Sequence, residues 1–101
     1  MLSHMVYFTL KDSSDAACDA LLAEMKKYLK DHKGVEFFAV GRLADGYERP
    51  VNDRAFHVAL NVVFDNRESH DAYQIAPEHL QFIENNKENW EQVRVFDADM
   101  A

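Results

Sequence analysis

The feature that most constrains this chain is the order in which its hydrophobic period changes: two, then three-to-four, then two twice, then three-to-four, then two again. Residues Ser3 to Leu10 alternate, with His4, Val6, Phe8 and Leu10 on one face and Met5, Tyr7 and Thr9 on the other. Both faces are substantially apolar, so both call for cover. Lys11 to Asp15 supplies polar turn residues and helix N-caps. Cys18, Leu21, Leu22, Met25 and Leu29 then recur at the spacing of one buried helical stripe. The pattern predicts a helix to about His32, with Lys30, His32 and Lys33 at its carboxyl end and Gly34 as C-cap. A second strand runs from Val35 to Arg42 or Leu43, a third from Phe56 to Phe64, and a fourth from Glu91 to Ala98. Between the last two, a short helix from about Arg67 to Ile75 must stop ahead of Pro77, because a residue preceding proline avoids the helical region. Pro77 and Glu78 suit the first turn of another helix, to about Asn86.

A first helix of ~17 residues is ~26 Å long, and an eight-residue strand covers about the same distance. Helix and strand can therefore lie together from end to end. The β-α-β-β-α-β order is the split pattern of ferredoxin-like α+β folds, a four-stranded antiparallel sheet with helices on one face. The opposite face would carry Met5, Tyr7, Ala59, Val63 and Phe96, with Thr9, His57, Asn61 and Arg94 among them. An apolar mixture of that extent calls for a partner. The simplest is a second copy, so a homodimer with two sheets face to face is expected. The polar stretch Ala44 to Ala55 is long for a hairpin loop, which marks it as a lid or subunit contact.

At 101 residues the chain is expected to form one domain, residues 1–101. Its 18 acidic residues outnumber 11 basic ones, leaving no basic face to displace counterions from phosphates, so nucleic acid is not an expected partner. No run of 18 apolar residues is present to span a membrane. The first residues lack the pattern of a secretory signal. The lone Cys18 has no partner within the chain for a disulfide, which fits a cytoplasmic location. His32, His57 and His70 show no metal-ligand spacing and no glycine-rich phosphate loop occurs, so neither metal nor cofactor is expected.

Several stretches together are similar to one known family. They are the opening His4-x-Val6-x-Phe8, Gly34-Val35 through Val40-Gly41, and the alternating third strand ending Phe64-Asp65. Two more follow, Ala72-Tyr73-Gln74-x-x-Pro77-x-His79-x-x-Phe82 and Val93-x-Val95-Phe96-Asp97. They resemble the stress-responsive dimeric α/β-barrel (Dabb) domain, over nearly the whole chain. The resemblance implies a ferredoxin-like protomer and a barrel-like dimer of two sheets. Many members have no assigned activity, and a cyclase branch closes polyketide chains by aldol chemistry. That branch is similar here at His4, Tyr73 and His79. Members often carry His-Pro-x-His where this chain has Ala76-Pro77-Glu78-His79.

Three functions are therefore in view: a non-catalytic, stress-related dimer binding a small apolar or aromatic ligand; a cofactor-independent cyclase or other proton-transfer enzyme; and a monooxygenase of the dimeric ferredoxin-like barrel type. In the catalytic reading His79 is the base, His4 its orienter and Tyr73 the donor to a substrate oxygen. In the structural reading the histidines hydrogen-bond each other or the backbone and tie the Pro77 hinge to the first strand. Either way a pocket between sheet and helices is expected, lined by Val6, Phe8, Leu21, Leu22, Met25, Leu60, Phe82, Val93 and Val95. The expected dimer interface is Met5, Tyr7, His57, Ala59, Asn61, Val63, Arg94 and Phe96.

Overall fold

A computed structural model describes residues 1–101. The elements are β1 (Leu2–Leu10), α1 (Asp15–Tyr28), β2 (Val35–Arg42), β3 (Val58–Phe64), α2 (Arg67–Gln74) and α3 (Pro77–Asn86), then a single 3₁₀ turn (Lys87–Asn89) and β4 (Trp90–Asp99). The four strands form one antiparallel sheet in the order β2-β3-β1-β4. This is the expected βαββαβ topology.

Register follows the apolar alternation. β1 pairs His4 with Val62 and Asp97, Val6 with Leu60 and Val95, and Phe8 with Val58 and Val93. All of these residues point toward the helices. Val58, Leu60, Val62 and Phe64 are buried there against Cys18, Leu21, Met25 and Leu29 of the first helical segment, with Tyr73 and Phe82 from the other helices. A one-residue slip would move this whole set to the other face, so the core itself fixes the register.

Two boundaries differ from the sequence expectation. α1 ends at Tyr28, a turn short of His32, because His32 Nε2 donates to the free Tyr28 carbonyl at 2.7 Å. Gly34, expected as the helix C-cap, instead forms the turn into β2 with φ of 86°. A Cβ there would lie 2.2 Å from Ser69 Oγ and 2.6 Å from Asp65 Oδ1, so the turn packs directly on the start of α2. β3 begins at Val58 rather than Phe56. The His57 ring explains this, since its Nδ1 accepts from the Leu10 amide at 3.0 Å where a strand carbonyl would otherwise stand.

His57 is thus a strand cap and not part of the sheet's outer face. Met5, Tyr7, Ala59, Asn61, Val63, Arg94 and Phe96 do share that face by register. The loop from residue 44 to 55 is exposed and folds back toward β4. There Asp53 accepts two bonds from the Arg94 guanidinium, at 2.6 and 3.3 Å, and Phe56 sets its ring edge-on to Tyr7 at 4.9 Å.

Candidate functional site: a groove between the second and third helices and the edge strand

The hinge between α2 and α3 builds the site. Asn66 caps α2 by accepting from the Ser69 amide, and the helix stops at Gln74. Ala76 is extended, as a residue before proline should be, and Pro77 occupies the first turn of α3. This reversal sets Tyr73, in the last turn of α2, against His79, in the first turn of α3. Their ring centroids are 4.6 Å apart and nearly edge-on. The His4 ring lies 6.0 Å from that of Tyr73. The three residues singled out in the sequence therefore converge.

The helices cover β3 and β1 but stop short of β4. Val93 and Val95, on the helix side of the sheet, are consequently 38% and 50% exposed. The result is a groove of about 390 Å³ between α2, α3 and β4. Its walls include Val6, Phe8, Leu60, Phe82, Val93 and Val95 of the expected lining. Leu21, Leu22 and Met25 do not reach it. Leu21 and Met25 sit in the core between α1 and the sheet, and Leu22 packs beside them. The helical stripe that suggested them faces the other side of the sheet's centre. Leu29, Ile83 and Trp90 line the groove in their place.

One end of the groove is polar. His4 Nδ1 stands 2.5 Å from Asp97 Oδ1, its neighbour across the β1–β4 ladder. Its other nitrogen is 3.5 Å from Gln74 Nε2, which is also 3.3 Å from His70 Nε2. His4 thus bonds Asp97 and Gln74, not His79, which the catalytic reading had it orient. Asp97, His70 and Gln74 were not singled out in the sequence as site residues. Asp97 had a partial signal, because strand alternation puts it on the same face as Val93 and Val95, though not beside His4 in particular. His70 and Gln74, one helical turn apart on α2, had a weaker one.

Tyr73 OH and His79 Nδ1 are buried without a hydrogen-bond partner. Burial pushes the Tyr73 phenol well above its ordinary range, so it stays protonated. Burial, reinforced by His4, His32 and His70 nearby, lowers His79 to about 4, which keeps it neutral at pH 7. His4 is also lowered, chiefly by burial, with the Asp97 carboxylate acting in the opposite direction. The groove wall therefore offers the neutral imidazole of His79 and the carboxylate-held imidazole of His4, with the protonated Tyr73 phenol buried against His79 and outside the wall itself.

A Dabb family protein of Mesorhizobium loti with a ferredoxin-like fold superposes with a TM-score of 0.81 at 24% identity, covering 99% of this chain and 96% of that one. A protein of Arabidopsis thaliana gives 0.81 at 16% identity over 100% and 96% of the two chains. A dimeric ferredoxin-like protein of unknown function from Thermobifida fusca gives 0.79 at 16% over 98% and 90%. These likenesses speak to the fold. No curated protein matches the chain. No helix is long and apolar enough to cross a membrane. The model of the stress responsive A/B barrel domain matches residues 2–100, so the chain belongs to the Dabb family.

Proposed function

We propose that the groove is a small-molecule site, for a mostly apolar, aromatic-sized ligand that carries a carbonyl or phenolic oxygen. The observation that carries this reading is the buried, unpartnered Nδ1 of His79, a residue of the groove wall, against whose ring packs Tyr73 with its own unpartnered hydroxyl. A structural tie would satisfy both groups within the protein, since an unmade buried hydrogen bond costs about 1–3 kcal/mol. A ligand oxygen seated against His79, reaching the Tyr73 hydroxyl through a small side-chain shift, would supply the missing partner. The volume and the apolar walls suit a ligand of one or two rings.

A second reading, proton transfer at carbon, is favoured by the charge states. Neutral His79 has a free lone pair, and protonated Tyr73 can donate to an oxygen on which negative charge develops. A base held near 4 is weak. It is matched only to an acidic carbon, such as one flanked by two carbonyl groups. Such a 1,3-dicarbonyl would be the substrate class. His4, tied to Asp97, would hold a second polar group of the substrate at the same end of the groove.

The reading includes self-association and a cytoplasmic location. Neighbours of this fold are described as dimeric, and the outer sheet face here leaves Phe37 and Phe96 more than half exposed. Cys18 is buried and free, in keeping with a reducing compartment. Sedimentation at micromolar concentration should give twice the chain mass, and a monomer would remove the dimer.

The deciding experiment is a thermal-shift screen against small aromatic ketones, phenols and cyclic 1,3-diketones. Ligand at 100 times its Kd should add about 2.7 kcal/mol to wild-type stability. His79→Gln and Tyr73→Phe should fold yet lose that shift. If nothing shifts the wild type and His79→Gln melts far lower, the histidine is a structural tie. The binding reading then fails.

A further inference from the structure

We propose that the polar end of the groove binds a divalent transition-metal ion through His4, His70 and Asp97. These residues come from β1, α2 and β4, and one donor atom from each lies within 4.8 Å of the other two. No sequence spacing could have shown this, because the cluster exists only once the ladder and the helix are in place. Two metal–ligand bonds of ~2.1 Å at tetrahedral or octahedral angles hold their donors ~3.0–3.4 Å apart. The two imidazole donors lie within 4.8 Å of each other, and the two separations to Asp97 bracket that range, 2.5 Å from His4 Nδ1 and 4.0 Å from His70 Nε2 to Oδ1. A turn of the Asp97 carboxylate by about half an ångström brings both close to it.

The rings are held for the task. The His4 side chain is only 5% exposed and His70 only 13%. Their centroids are 4.9 Å apart. On the outer side of His70, Asp71 Oδ1 stands 3.1 Å from Nδ1. A carboxylate in that position keeps the proton on Nδ1 and turns the Nε2 lone pair inward, the support that metal-binding histidines ordinarily have. Without an ion, Gln74 spans the two Nε2 atoms. From the same helix face it can swing aside, or turn its amide oxygen inward as a further donor.

Two imidazoles and one carboxylate suit zinc, cobalt, iron(II) or manganese better than calcium or magnesium, which take mainly oxygen donors. The remaining coordination positions would open into the apolar trough. An ion there would share His4 with the organic ligand proposed above, and it is tested with the metal alone.

Untagged protein, freed of metal with a chelator, is titrated with Co²⁺ by absorption and with Zn²⁺ by calorimetry. One ion per chain should bind. His70→Ala should weaken binding at least ~10-fold, with melting confirming the fold, and His57→Gln should leave it unchanged. Asp97→Asn also breaks the His4 tie, so His70→Ala decides. Nitrogen-detected NMR of the wild-type histidines adds a readout that needs no variant: on Zn²⁺ addition the His4 and His70 rings should shift while His57 stays still. Wild-type affinity in His70→Ala, a stoichiometry far below one, or shifts confined to other histidines would each overturn the proposal.

Discussion

Gly34→Ala should be far more damaging than Gly46→Ala, although the two glycines have nearly the same backbone, with φ of 86° and 85°. An alanine in that left-handed region costs roughly 1–2 kcal/mol at either site. Gly46 faces open space, so nothing is added there. At Gly34 the new Cβ would stand 2.2 Å from Ser69 Oγ and 2.4 Å from Ser69 Cβ. The hydroxyl can rotate away, but the Cβ is fixed to α2, whose first turn is pinned by Asn66 accepting from the Ser69 amide at 2.9 Å. Either the turn or the helix must move by about an ångström, which resembles overpacking and costs about 1–3 kcal/mol more. For a domain of this size each kcal/mol moves the melting point about 4–8 °C. Gly34→Ala should therefore melt roughly 5–20 °C below Gly46→Ala by circular dichroism, a gap derived from these same magnitudes. Adding Ser69→Gly should recover part of the loss, with a coupling of about 1 kcal/mol or more. Equal melting points for the two single variants would refute the close packing of turn on helix, and with it the account of how α2 is placed to present His70, Tyr73 and Gln74.

Three further outcomes follow from the site. Tyr73→Phe removes a buried hydroxyl with no partner, so chemical denaturation should find the variant as stable as wild type or up to about 1 kcal/mol more so; a loss of 2 kcal/mol would show that the hydroxyl is bonded after all. For His79 the folded value, about 4, lies below the unfolded imidazole value of ~6.5. Stability from its burial is complete above ~6.5 and is lost as pH falls toward 4, with a ceiling of about 3 kcal/mol that its partial exposure reduces. Urea denaturation across that window should be less pH-dependent for His79→Gln, and parallel curves would contradict the burial argument. Asp97→Asn leaves His4 without its carboxylate and should lower the His4 pKa further, which NMR titration of the ring reads directly; an unchanged value would mean that the contact carries no charge interaction.

Much of the architecture was legible because it depends on alternation. Val58, Leu60, Val62 and Phe64 announce one buried face, and the position of Pro77 sets the hinge. The outer-face residues followed from the same parity, except His57, whose ring turned to cap a backbone amide. The site was half legible. His4, Tyr73 and His79 stood out as polar residues in apolar segments. Asp97 and His70 did not, because their meaning depends on which strand pairs with β1 and how far α2 rotates. Leu21, Leu22 and Met25 were misplaced for a related reason: a helical stripe shows that a face is buried, not which part of the sheet it covers. The end of α1 was misread because a histidine side chain closed the last turn before the glycine was reached.

The ladder between β1 and β4 has a kinetic meaning. His4 and Asp97 are 93 residues apart in sequence, so the contact that makes the groove polar also closes one of the longest loops in the molecule. Loop closure of that span is entropically unfavourable and slow. β1 can pair early with β3, but its other edge must wait for the last strand. During that wait Met5, Val6, Tyr7 and Phe8 form an unprotected apolar edge, the kind of segment that joins neighbouring chains during refolding. The groove should be the last part of the fold to mature, and conditions that delay the docking of β4 should produce aggregates before they produce a misformed site.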